Sequence, residues 1–62
     1  MNKEKVFKVC CEILERDEEY SMKTYGFYFT LISAVLVLGK NKEFDTERSK
    51  VVFDALNYPW GE

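Results

Sequence analysis

The longest stretch of the chain without a charged side chain runs from residue 24 to residue 39, TYGFYFTLISAVLVLG. Its apolar side chains recur at helical spacing and cover well over half of the circumference of a helical wheel. Because a helix that is apolar nearly all round must be covered, this segment is predicted to be the central helix. One face of the wheel holds Tyr25, Tyr28, Phe29, Ile32, Val35 and Leu36.

The residue types in this stretch also favour β-structure, so strands over residues 25–38 remain an alternative. Helix is the preferred interpretation, since the run is longer than one ordinary strand needs and holds no internal turn signal. Gly39 is predicted to end this helix in a left-handed conformation, with Lys40 and Lys42 beside its negative end.

The flanking segments are amphipathic. Residues 3–16 place apolar side chains, among them Val6 and Cys10, on one face and charged ones on the other. This helix is predicted to end near Arg16, because the carboxylates at positions 17–19 would oppose the negative end of a helix. They suit the start of the next helix, over 22–38, with Asp17 or Ser21 as its N-cap. The pattern leaves open whether these two helices are separate.

A third helix is predicted over residues 46–57. Asp45 or Thr46 can cap its first turn, and Pro59 prevents its continuation. The expected architecture is therefore one all-α domain, residues 1–62, made of three helices with an apolar middle helix and an aromatic tail over 58–62.

Size favours self-association. A chain of 62 residues buries only about 60% of its unfolded surface, and two short helices cannot cover the middle helix. A homodimer or higher oligomer built on the middle helix is therefore expected. The predicted interface residues are Phe29, Ile32, Val35 and Leu36.

Charge argues against nucleic acid as a partner. Nine Lys and Arg side chains are outnumbered by eleven Asp and Glu, so the chain has no basic excess. Arg48 and Lys50 lie at the front of the third helix, where a recognition helix would contact bases. The connection before them is longer than the turn of the DNA-binding motif, and Asp45 and Glu47 would approach phosphates.

Candidate chemistry is sparse. The two cysteines, Cys10 and Cys11, are adjacent, which is not a zinc-ligand spacing. The chain has no His, so a catalytic thiol would lack its usual base. The cysteines are interpreted as core side chains. The carboxylates at positions 15–19 lack the spacing of a calcium loop. We therefore predict no enzyme activity, no metal and no cofactor.

The aromatic tail is the other notable feature. Tyr58-Pro59-Trp60 resembles, over three residues, the hexapeptide with which homeodomain transcription factors dock a partner, with Gly61 where that motif carries Met. Trp60 either folds back onto the core or stays free as an anchor for another protein. Four aromatic residues are the candidate partner contacts: Tyr25, Tyr28, Tyr58 and Trp60.

The sequence is most typical of a small non-enzymatic regulator, adaptor or inhibitor that binds a larger protein as a homo-oligomer. A small-molecule sensor with an inter-subunit pocket around Tyr25, Tyr28 and Phe29 is one alternative. A membrane-associated protein is another, although the uncharged run spans about 24 Å against a hydrocarbon core of about 30 Å. A charged segment follows Met1 directly, so a reducing, cytoplasmic location is expected.

Overall fold

A computed structural model describes residues 1–42 and 44–61 of the chain. These residues form helices joined by turns, and no strand occurs among them, so the all-α prediction is confirmed and the strand alternative is wrong. The described part holds four helices where the sequence predicted three. They are α1 (Lys3–Leu14), α2 (Glu18–Thr24), α3 (Gly26–Asn41) and α4 (Glu47–Leu56).

Helix α1 is closed at both ends by local hydrogen bonds. The Asn2 side chain accepts from the backbone N–H groups of Glu4 and Lys5 at 3.0 and 3.2 Å. Glu15 takes a left-handed conformation, φ 55°, and its N–H bonds back to carbonyls of the last turn. The helix therefore ends at Leu14, two residues before the predicted boundary of residue 16.

The predicted second helix, 22–38, is divided in two. Asp17 caps α2 by accepting from Tyr20 N–H at 2.8 Å, which confirms one of the two predicted caps. The helical conformation is then interrupted at Tyr25 and Gly26. Gly26 has φ +82°, a backbone conformation that a residue with a Cβ rarely adopts. The axes of α2 and α3 consequently differ by 112°.

Helix α3 continues beyond the predicted stop at Gly39. The residue in the left-handed conformation is Lys42, φ 58°, and Gly39 stays helical. A Cβ at Gly39 would lie 3.4 Å from Cζ of Phe44, so this glycine lets the ring pack close to the helix. The role of Gly39 is thus close packing, and the helix extends to Asn41.

Helix α4 begins close to the predicted position. The Thr46 side chain accepts from Ser49 N–H at 3.2 Å, so Thr46 is the N-cap. The helix ends at Leu56, one residue before the predicted boundary, and Asn57 forms its C-cap.

The core lies along one side of α3. Four buried residues of this helix, Phe27, Leu31, Ala34 and Leu38, recur with spacings of four, three and four residues, and we call them the inner seam. Leu31 is 2% exposed and Ala34 is fully buried. This side packs against α1 and α4. Those helices contribute the other buried apolar side chains, which are Val6, Phe7, Cys10, Cys11, Val52 and Ala55.

The helices are arranged as a thin layer of 29 × 28 × 15 Å. Three helices contact α3, but none of them covers the side opposite the inner seam. Among the described helices, none is by itself long and apolar enough to cross a bilayer; α2 and α3 pass that test only as a sharply bent pair.

Candidate functional site

The uncovered side of α3 carries a second apolar seam. Phe29, Ile32 and Leu36 of α3 are each offset by two residues from members of the inner seam. Together with Tyr25, which precedes α3 and stacks on Phe29, we call them the outer seam. Two residues rotate a helix by about 200°, so the two seams lie on nearly opposite sides. Phe29 is 55% exposed, Ile32 51% and Leu36 68%. Large apolar side chains are seldom left exposed as a contiguous row.

Aromatic contacts order the start of the outer seam. Tyr25 stacks on Phe29 with ring centroids 5.1 Å apart and planes inclined by 17°. The guanidinium carbon of Arg16, in the turn between α1 and α2, lies 5.0 Å from the centroid of the Tyr25 ring. Tyr20 meets Tyr25 edge-on at 6.3 Å. Ring pairs in stacked and edge-on arrangements of this kind stabilise one another.

Three of the four predicted oligomer-interface residues lie on the outer seam, namely Phe29, Ile32 and Leu36. The fourth, Val35, is half-buried and packs against the core. Val35 therefore lies at the border between the buried and the uncovered side of α3.

A different corner of the molecule holds the tail. Trp60 is folded back: its indole Nε1–H donates to the carbonyl of Ala55 at 2.8 Å, and its ring meets Phe27 at 5.2 Å. Tyr58 packs on Trp60 with centroids 4.6 Å apart. Trp60 is half-buried against the core, while Tyr58 is 42% exposed. Trp60 therefore covers the inner seam at Phe27, its first residue, while the side chain of Tyr58 remains exposed to solvent.

The same corner holds a cation among aromatic rings. The Lys3 ammonium Nζ lies 4.8 Å from the Phe27 centroid, 5.4 Å from Tyr28 and 5.6 Å from Trp60. We call these three rings the aromatic cage. Ring faces attract a cation placed within about 6 Å of their centroids.

The structure thus brings together three of the four predicted partner contacts. Tyr28 and Trp60 are walls of the aromatic cage, and Tyr58 packs on Trp60. Tyr25 lies elsewhere, on the outer seam. Lys3 and Phe27 were missed by sequence reasoning, because nothing local in the sequence indicates that residues so far apart along the chain meet.

A cleft of about 440 Å³ adjoins the cage, between the start of α1 and α2. Phe7, Met22 and Phe27 form its apolar part. Its charged part consists of one ammonium group and three carboxylates, which belong to Lys3, Glu4, Glu18 and Glu19. A cleft of this size and mixed lining can accept a side chain or a short peptide segment.

The two thiols are buried in the core. Burial raises the pKa of Cys10 to about 12, and the neighbouring Cys11 adds to the shift. Burial also raises the pKa of Cys11. A thiol that stays protonated is a poor nucleophile. Within residues 1–42 and 44–61, no three potential metal-binding side chains come together.

The raised thiol pKa predicts a loss of stability at alkaline pH. Above the ordinary value of 9.0 the unfolded chain releases the Cys10 proton, whereas the folded chain keeps it until about pH 12. The unfolded state then binds fewer protons, so the free energy of unfolding falls as pH rises through this window, with a slope approaching about 1.4 kcal/mol per pH unit.

Urea unfolding in a reducing buffer from about pH 8 to about pH 11 measures this slope. Cys10→Ala is the matched control, because it removes one of the two buried thiols and should reduce the slope to the part that Cys11 contributes. Equal slopes in the two proteins would show that Cys10 does not titrate differently in the folded state.

Comparison with protein-family models, with curated proteins and with solved structures finds no match to this chain.

Proposed function

We propose that this chain is a non-enzymatic interaction protein that forms a homodimer and binds a larger protein partner. The observation that carries the proposal is the outer seam, in which three large apolar residues lie uncovered along one side of α3 and Tyr25 lies uncovered just before its start. The non-enzymatic part is supported by the absence of His from the sequence and by the burial of both thiols.

The spacing of the outer seam favours a helix as the occupant. Its three members within α3, Phe29, Ile32 and Leu36, recur with spacings of three and four residues, which is the a/d pattern of helices that pack along their length. A second copy of α3 offers the same pattern, and a two-fold axis lets each seam pack on its equivalent. No charged residue interrupts residues 24–39, so the α3 part of this pairing brings no charged side chain of that run into the interface.

The area is sufficient for such a dimer. Tyr20 adjoins the seam through Tyr25, and with it the seam offers five side chains that are on average about half exposed. At about 200 Å² for a large side chain, they expose roughly 500 Å² per copy. Two copies would bury roughly 1,000 Å², which is the lower limit for a specific interface.

The partner-binding part is supported by the aromatic cage. Tyrosine and tryptophan side chains with fixed positions are typical of binding hot spots. Tyr58 and Tyr28 are 42% and 49% exposed there, and the rings are anchored through Trp60 and Phe27. Each copy in a dimer would carry its own cage beside the cleft.

Light scattering after size exclusion, in buffer without detergent, tests the homodimer. We expect a mass of twice the 7.4 kDa of one chain at micromolar concentration. A monomer that persists at the highest soluble concentration would overturn the homodimer. A protein that stays in solution only with detergent would favour the membrane-associated alternative instead.

A further inference from the structure

The aromatic cage has the geometry of a cation site. The rings of Phe27 and Trp60 are inclined by 71°, and those of Phe27 and Tyr28 by 82°. Nearly perpendicular rings form walls on several sides of one ammonium group, as in the cages that recognise alkylammonium ligands.

Two of the three walls are held in place without Lys3. Phe27 is 6% exposed and belongs to the core. Trp60 is fixed by its 2.8 Å hydrogen bond to Ala55. A site whose walls are positioned by their own packing loses little entropy when it binds a ligand.

The present occupant can be displaced cheaply. Lys3 is exposed and is the first residue of α1, whose N-terminal hydrogen bonds are made by Asn2. Its departure therefore leaves the helix intact. The cleft beside the cage supplies carboxylates from Glu4, Glu18 and Glu19, which would favour a positively charged ligand.

We infer that the aromatic cage binds the alkylammonium group of a lysine side chain from a partner protein, and that Lys3 occupies the site until the partner displaces it. The residues next to that lysine would lie in the cleft, where Phe7 and Met22 accept apolar side chains. This inference rests on the proposed partner-binding function and names the chemistry of the partner.

Trp60 reports binding directly, since it is the chain's one tryptophan. The probes are a capped tripeptide with lysine between two leucines and the same tripeptide with norleucine in place of lysine. We expect the lysine peptide to change Trp60 fluorescence at lower concentration than the norleucine peptide. In Lys3→Gln, which removes the internal competitor, the lysine peptide should bind about threefold tighter.

Two further variants separate competition from a structural effect. Lys3→Arg restores a cation and should return the affinity toward the wild-type value. Lys5→Gln removes an equal charge from α1 outside the cage and should leave the affinity unchanged. Circular dichroism checks that each variant keeps its helices.

Equal binding of the two peptides would overturn the inference, and so would an affinity that does not increase in Lys3→Gln. Binding of choline in place of the lysine peptide would instead assign the cage to a free quaternary ammonium compound. A monomeric protein that binds the lysine peptide would refute the homodimer alone. A homodimer that ignores the peptide would refute this inference alone.

Discussion

Leu31→Ala is expected to lower the free energy of unfolding by about 3 kcal/mol. Leu31 is 2% exposed at the middle of the inner seam, so its removal loses buried apolar surface and leaves a cavity. A chain of 62 residues has a total stability of only about 3–9 kcal/mol. The midpoint of thermal unfolding should fall by about 10–20 °C.

Thermal and urea unfolding followed by circular dichroism, at one protein concentration, measure this effect. Leu56→Ala is the matched control, because Leu56 is 44% exposed on α4 and should cost less than about 1 kcal/mol. If Leu31→Ala does not fold, Leu31→Met, which conserves volume, gives a smaller change of under about 1.5 kcal/mol. Equal losses at positions 31 and 56 would contradict the assignment of the inner seam to the core.

Leu36→Glu is expected to separate the proposed homodimer into monomers. Leu36 is 68% exposed and lies on the outer seam. A two-fold interface contains the change twice, so two leucines leave the interface and two carboxylates approach it. Each leucine accounts for at least about 1.5 kcal/mol, so the dissociation constant should rise at least about a hundredfold.

Sedimentation equilibrium over a range of concentrations measures that constant. Leu56→Glu makes the same chemical change at an exposed leucine of α4 and should leave the dimer intact. Circular dichroism should show unchanged helix content in both variants, since neither leucine belongs to the core. A Leu36→Glu protein that stays dimeric, or an equal effect of Leu56→Glu, would show that the outer seam is not the interface.

Local signals predicted the parts of the fold that depend on neighbouring residues. Asp17 and Thr46 cap their helices because their side-chain oxygens reach a backbone N–H three residues ahead. This contact is local, so the residue type at the cap position is enough to predict it. The length of the uncharged run and its lack of a turn signal likewise favoured a helix over strands for residues 25–38, and the helix is confirmed. These features depend on contacts within one turn of helix.

The errors lie at two glycines, a residue type that is compatible with more than one backbone conformation. Gly39 has the residue type of a helix end, but Phe44 packs against it and α3 continues to Asn41. Gly26 breaks the predicted second helix with φ +82°, although a glycine near the start of an apolar run is also compatible with a continuous helix. Glycine permits several conformations, so the residue type alone does not decide between a helix end and a continuous helix.

The aromatic cage shows the same limit at the level of the site. The sequence by itself determined that Tyr28, Tyr58 and Trp60 are aromatic side chains with polar tips, and that the middle helix has apolar residues around well over half of its circumference. Only the tertiary structure decided which side of α3 faces α1 and α4, and that Lys3 meets Phe27 and Trp60. The physical reason is that helical periodicity describes one helix at a time, whereas burial and ring contacts depend on how several helices pack together.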